Sequence, residues 1–130
     1  MIKKAKFFVK EVGLRLRYIM EKDCLFCKII AGEIKAKSVL ETENVLAFFD
    51  VNPVCDIHIL VIPKRHIDSV LTISEENSKE ILEMYSAVKQ IVEKKNIDAF
   101  RLTINGGKFQ HVPHLHMHLL SGKKIDWNKL

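Results

Sequence analysis

The segment His114-Leu115-His116-Met117-His118-Leu119-Leu120 concentrates the chemistry of this chain, and four of its six histidines fall between His111 and His118. In an extended strand successive side chains alternate between faces. His114, His116 and His118 therefore share one face, while Leu115, Met117 and Leu119 point the other way, toward a core. Three aligned imidazoles admit three readings. They can be a polar outer face that happens to use histidine, an open three-His metal site of the hydrolytic kind, or a nucleophilic site. In the last, a neutral imidazole attacks phosphorus while neighbouring groups hold charge. A second cluster, Cys24-x-x-Cys27, reads as half a metal site, a redox pair or two packed thiols, and needs partners elsewhere in the chain.

The elements that must carry these residues follow from periodicity and punctuation. Cys24 to Ile34 (CLFCKIIAGEI) predicts a short helix with Cys24 and Cys27 on one face and Gly32 as a left-handed stop. Ser38 to Glu41 and Val45 to Asp50 predict a hairpin turning at Thr42-Glu43-Asn44, and His58 to Ile62 a third strand halted by Pro63. Ser74 is placed to cap a long helix with Ile81, Tyr85, Val88 and Val92 as its buried stripe, ending near Lys94, Lys95 and Asn96. Phe100 to Ile104 and His114 to Leu120 complete the strands, joined through Asn105-Gly106-Gly107. The order predicts an α+β fold, a five-stranded and largely antiparallel sheet whose helices cover one face.

At 130 residues and 15.0 kDa the chain suits one domain with a real core. Its net charge of +5 sits wholly in the first nineteen residues, where six basic side chains face one acidic one. A neutral body with a basic tail argues against a specific nucleic-acid surface. The division expected is a basic N-terminal extension over 1–19, read as a loosely held amphipathic helix interrupted by Gly13, and a single domain over 20–130. No apolar run approaches the roughly 20 residues of a membrane helix. Three cysteines without a secretory signal fit reduced thiols in a cytoplasmic protein.

From Cys24 to Trp127 the sequence resembles the histidine triad (HIT) superfamily, whose motif His-φ-His-φ-His-φ-φ, with φ apolar, is met at every position by HLHMHLL. CLFCKIIAGEI, VLAFFDVNP, HILVIPKRHI and the approach through Gln110 extend the similarity, and the closing GKKIDW resembles the Hint branch. The resemblance implies that His116 is the nucleophile of a nucleotidyl-histidine intermediate, that His118 contacts a phosphoryl oxygen, that His114 orients the neighbouring site, and that His58 acts as a fourth histidine. It places Asp50 on the ribose hydroxyls. Phe26, Ile29, Ile34, Phe48 and Val51 would form an apolar slot for a purine, with Asn105 and Gln110 on the phosphate and leaving-group side. Phe109 and Pro113 depart from the family pattern. His111 stands where Hint proteins often carry Ser, either as a proton donor to the leaving group or as a solvent-facing loop residue.

The same resemblance implies a structural zinc held by Cys24, Cys27, His66 and His114, with no cofactor required for the chemistry. It further implies a homodimer joined near the Phe100 to Ile104 strand and the long helix, with Trp127 reaching the partner's site. The leading functional expectation is hydrolysis of purine nucleoside phosphoramidates of the AMP-amine type. Its rivals are dinucleoside polyphosphate hydrolysis and a nucleotide-binding scaffold with little turnover.

Overall fold

The computed structural model describes residues 7–12, 16–21 and 23–123; Trp127, with the rest of the closing segment, lies outside them. Strands β1 (Phe7–Val12) and β2 (Leu16–Glu21) pair antiparallel, with Phe7 opposite Glu21 and Val12 opposite Leu16. This corrects the expected N-terminal helix. Phe and Val make up four of the six residues of FFVKEV, and Tyr18 and Ile19 stand at the centre of LRYIME; such side chains lose rotamer freedom in a helix but fit a pleated surface.

Helix α1 (Leu25–Ile30) is capped by Cys24, whose Sγ accepts from the Cys27 backbone N–H at 3.3 Å. Gly32 follows at φ +80°, the left-handed stop its position predicts. The main sheet comprises β3 (Ser38–Glu41), β4 (Val45–Phe49), β5 (Ile57–Pro63), β6 (Arg101–Thr103) and β7 (Met117–Ser121). Its order is β3-β4-β5-β7-β6, and every pairing is antiparallel. The predicted last strand is shorter than its motif, since regular pairing begins at Met117. Residues 114–116 approach it tethered through Leu115, whose N–H donates to the Ile67 carbonyl at 2.6 Å.

Helix α2 (Ser78–Lys94) follows a turn of 3₁₀ helix over Glu75–Asn77, so Ser74 precedes that turn rather than capping α2 itself. Its inward stripe is Glu80, Met84, Ala87, Val88 and Ile91, with Ile81 and Val92 at the flanks; Tyr85, expected inside, is half exposed. The stripe is rotated by about one residue from the predicted one because Met84 and Ala87, not Tyr85, meet the sheet. There they pack on Val45, Ala47, Ile59, Val61, Leu115, Met117 and Leu119. Each large apolar chain so buried contributes about 1.5–3 kcal/mol.

The opposite face of the same strands presents Leu46, Phe48, Leu60 and Ile62 to Cys24, Phe26, Cys27 and Ile30 of the α1 segment. The two helices thus cover opposite faces rather than one. The α1 face is only partly covered, and the uncovered part carries the histidines. No helix among the described residues is long and apolar enough to cross a membrane.

Glu83 ties α2 to the β3–β4 turn. Its carboxylate accepts from the Thr42 hydroxyl at 2.6 Å and from the Asn44 backbone and side-chain amides at 2.7 and 3.0 Å. Burial opposes the charge, but these donors outweigh it and hold the carboxyl below the ordinary range. Glu83→Ala should therefore lower unfolding stability by about 1–3 kcal/mol, the range for a charged hydrogen-bonded group, as read from denaturant titration. A loss within experimental error would show that the turn holds without it.

Candidate active site and metal centre

Pairing register brings the chemistry together. On β7, His118 lies opposite Leu60 of β5 on one side and Thr103 of β6 on the other, while His58 lies opposite Leu120. The histidine face opens into a cleft of about 590 Å³, within the usual range for a small-molecule site. Of the residues named from sequence, Phe26, Ile29, Ile34, Phe48, Asp50, Val51, His58, Asn105, His111, His116 and His118 all line it. Two do not. Gln110 donates its amide to the carbonyls of Asp68 (2.7 Å) and Val112 (3.0 Å), bracing the approach loop. His114 turns its ring away into the protein.

Hydrogen bonds fix where the imidazole protons sit. The Val54 backbone N–H donates to His58 Nδ1 at 3.2 Å, so a neutral His58 carries its proton on Nε2. That proton is donated to His118 Nδ1 at 2.8 Å, with Asp50 Oδ2 3.4 Å away. His118 is thereby protonated on Nε2, a donor that stands 3.5 Å from the Asn105 side-chain nitrogen, itself a donor, and is free to meet an acceptor in the cleft. His116 has the reverse arrangement. Its Nδ1–H donates to the His114 carbonyl at 2.7 Å, leaving Nε2 as the lone-pair nitrogen. Phe26 packs edge-on against the His116 ring at 5.0 Å, and the His118 ring stands 5.0 Å away on its other neighbouring side.

Burial keeps these rings neutral. It lowers the proton affinity of His58 against the opposing pull of Asp50, and that of His116 against the His114 carbonyl. His118 falls to about 4, through burial first and then the neighbouring His116 and His58. A neutral imidazole with one nitrogen tied and the other bare is a nucleophile. Asp50 is oriented by the Asn52 N–H, which donates to its Oδ1 at 2.8 Å.

The second cluster lies behind the triad. His114 Nδ1 is 3.3 Å from Cys24 Sγ and 3.6 Å from Cys27 Sγ, and His66 Nδ1 is 3.3 Å from Cys27 Sγ. A tetrahedral ion bonded to thiolate at ~2.3 Å and imidazole at ~2.0–2.1 Å has an N···S edge of about 3.5 Å. The donor set fits that geometry. Both rings also present the right nitrogen, because their Nε2–H groups are used elsewhere, that of His114 on the Pro63 carbonyl at 2.8 Å and that of His66 on carboxylates. The thiols share charge unevenly. The hydrogen bond from Cys27, helped by His114 and His66 against burial, holds Cys24 well below the thiol range, and Cys27 is raised by its bond to Cys24 and by burial.

Sequence reasoning missed Thr103, Lys35, Val54 and Val112 on the cleft wall. Thr103 was readable, since it alternates with Leu102 on β6. Lys35, Val54 and Val112 sit in loops, where no periodicity marks a facing direction.

A family model described as HIT domain matches residues 31–125. A histidine triad protein from Clostridium difficile superposes with a TM-score of 0.76 at 42% identity, covering 81% of this chain and 95% of that one. A HIT family hydrolase from Legionella pneumophila Philadelphia 1 gives 0.76 at 36% identity, over 81% and 97% respectively. The 14 kDa zinc-binding protein of Zea mays is 40% identical over 117 residues, 86% of this chain and 91% of that protein. The pleated histidine face, the cleft it opens into and these likenesses agree, and the chain belongs to the HIT domain family.

Proposed function

We propose that this chain hydrolyses purine nucleoside phosphoramidates, of the AMP-amine type, through a nucleotide covalently held on His116. One observation carries the reading: the His116 Nδ1–H bond to the His114 carbonyl leaves Nε2 bare on a ring that lines the cleft. In the first step Nε2 forms a bond to the α-phosphorus as the bond from phosphorus to the amine breaks. His118 Nε2–H, on a neutral ring, hydrogen-bonds a phosphoryl oxygen, and His111, which lines the same cleft, supplies the proton the amine needs. In the second step water attacks phosphorus, the bond to Nε2 breaks, and a water proton returns to His111. The products are a nucleoside monophosphate and an amine. Positive charge on His116 in the intermediate is met by the His114 carbonyl, which accepts from Nδ1 throughout.

The apolar walls Phe26, Ile29, Ile34, Phe48 and Val51 suit a purine face, and Asp50 suits a ribose diol, as a carboxylate accepts from both hydroxyls. The Legionella relative, named a HIT family hydrolase, supports hydrolysis as the reaction class. The resemblance to Hint supports the phosphoramidate over longer leaving groups, and the place of β6 at the sheet edge supports pairing with a second copy. Cys24, Cys27, His66 and His114 we read as a structural zinc centre, in keeping with the name of the maize relative. The zinc would fasten α1 to the end of β5 and the entry to β7, and no step of the hydrolysis passes through it.

Three measurements test this reading. His116→Ala should lower turnover of an AMP-amide to below about a hundredth of wild type while AMP still binds, since it removes the attacking atom and keeps the base and ribose walls. Turnover above that level defeats the nucleophile, and preferential turnover of diadenosine polyphosphates transfers the reading to the other branch.

Stability should fall with acid. A histidine whose folded value lies below its unfolded one, near 6.5, binds fewer protons when folded, so its contribution is present above that value and lost as the pH falls. His118, at about 4, sets the window. The thermal midpoint should begin to fall below about pH 6.5 and go on falling to about pH 4, whereas turnover, which follows the folded rings, should hold to about pH 5 and decline only as the pH approaches 4. An acid limb centred on pH 6.5 would show that the rings are not desolvated.

Metal analysis should find about one zinc per chain, and chelation should lower the thermal midpoint, while turnover assayed before unfolding persists. Loss of turnover without unfolding would move the metal to the triad.

A further inference from the structure

The four members of the Cys–His cluster are not equally enclosed. Cys24, Cys27 and His114 are 3%, 0% and 0% exposed, and His114 is anchored from behind by the buried Pro63 carbonyl. His66 is the least enclosed of the four, though its side chain too is only 7% exposed. Its outer nitrogen meets two carboxylates at once, Asp68 Oδ1 at 2.7 Å and Glu21 Oε2 at 2.9 Å, whose side chains are 61% and 36% exposed. One ring N–H cannot satisfy two acceptors fully, so the pair act as a shared, negatively charged seat for a single proton. They also come from different parts of the chain. Glu21 ends β2, and Asp68 lies two residues beyond His66, with its backbone carbonyl held by Gln110.

We infer that Glu21 and Asp68 form a carboxylate latch on His66 that sets how fast the metal leaves, His66 being the ligand that lets go first. The argument rests on the metal reading given above. A ligand imidazole is oriented, and made more basic toward its metal, by a carboxylate on its other nitrogen. With the other three ligands more deeply enclosed, exchange with solvent runs through movement of His66, restrained by these two hydrogen bonds, by edge-on packing against the His114 ring at 4.8 Å and by the metal bond itself. A latch contributed by β2 also gives the N-terminal hairpin a task at the metal centre.

The test uses the full chain loaded with zinc and an excess of a chromogenic chelator, with release followed in time. Glu21→Ala/Asp68→Ala should release zinc on the order of 10 to 100 times faster than wild type, the usual cost of losing outer partners. Both proteins should still start with one zinc per chain. Glu21→Gln/Asp68→Asn, which keeps acceptors but removes charge, should fall between them. Apo forms of wild type and variant should melt alike, separating a latch from a general loss of stability. Release within twofold of wild type overturns the latch and leaves the zinc reading standing. A wild-type chain that takes up no zinc overturns both. Should the double variant not fold, Asp68→Asn alone carries the comparison, and release at the wild-type rate overturns the inference.

Discussion

The alternation of side chains from Leu115 to Leu120, which becomes regular strand at Met117, is the constraint on which the rest depends. With a period of two, one set of side chains must enter a core and the other must face away from it. Leu115, Met117 and Leu119 take the first role against α2, each essentially buried. The cost of exposing them pins the register, and with the register pinned His116 and His118 have nowhere to go but the cleft. A slip of one residue would turn His116 and His118 toward Met84 and Val88 and expose Leu115, Met117 and Leu119.

Orientation of the rings is then set by backbone atoms rather than by other titratable groups. The Val54 N–H and the His114 carbonyl are fixed donors and acceptors that do not change with pH, and each determines the tautomer of the ring it touches. The His58–His118 bond passes that choice on to the ring that faces substrate. Desolvation does the remaining work, since a buried imidazole resists protonation and so stays able to attack or to donate. Side-chain partners would have been less dependable, because every neighbouring charge that helps one ring perturbs the next.

Much of this was legible in the sequence, for definable reasons. Alternation in HLHMHLL gave both faces of the last strand, and β-rich runs bounded by Pro and Gly gave the others. The residues named on strands, His114 excepted, line the cleft, because a strand has only two faces. Three features were not legible. The N-terminal hairpin was hidden because FFVKEV and LRYIME carry apolar residues that satisfy helical and extended patterns alike. The stripe of α2 was misjudged at Tyr85 because a helix has no such binary choice, and a rotation of one residue changes which side chain meets the sheet. Gln110 was assigned to the substrate, but its amide is engaged by two backbone carbonyls that no local pattern announces.

His114 explains why the metal cluster and the nucleophile belong to one design. Its ring is fully buried, with Nε2 on the Pro63 carbonyl and Nδ1 between two thiols, while its own carbonyl accepts from His116. A residue restrained at both ring nitrogens cannot rotate its backbone freely, so the position of that carbonyl is set by contacts on the far side of the chain. The hydrogen bond it makes to His116 selects which nitrogen is bare. Packing of α1 against the strand ends is thereby converted into the protonation pattern of the cleft, two residues away. Tightening the cluster with a metal would sharpen that placement without the metal touching substrate, since an error of even 1 Å in a nucleophile's position is costly.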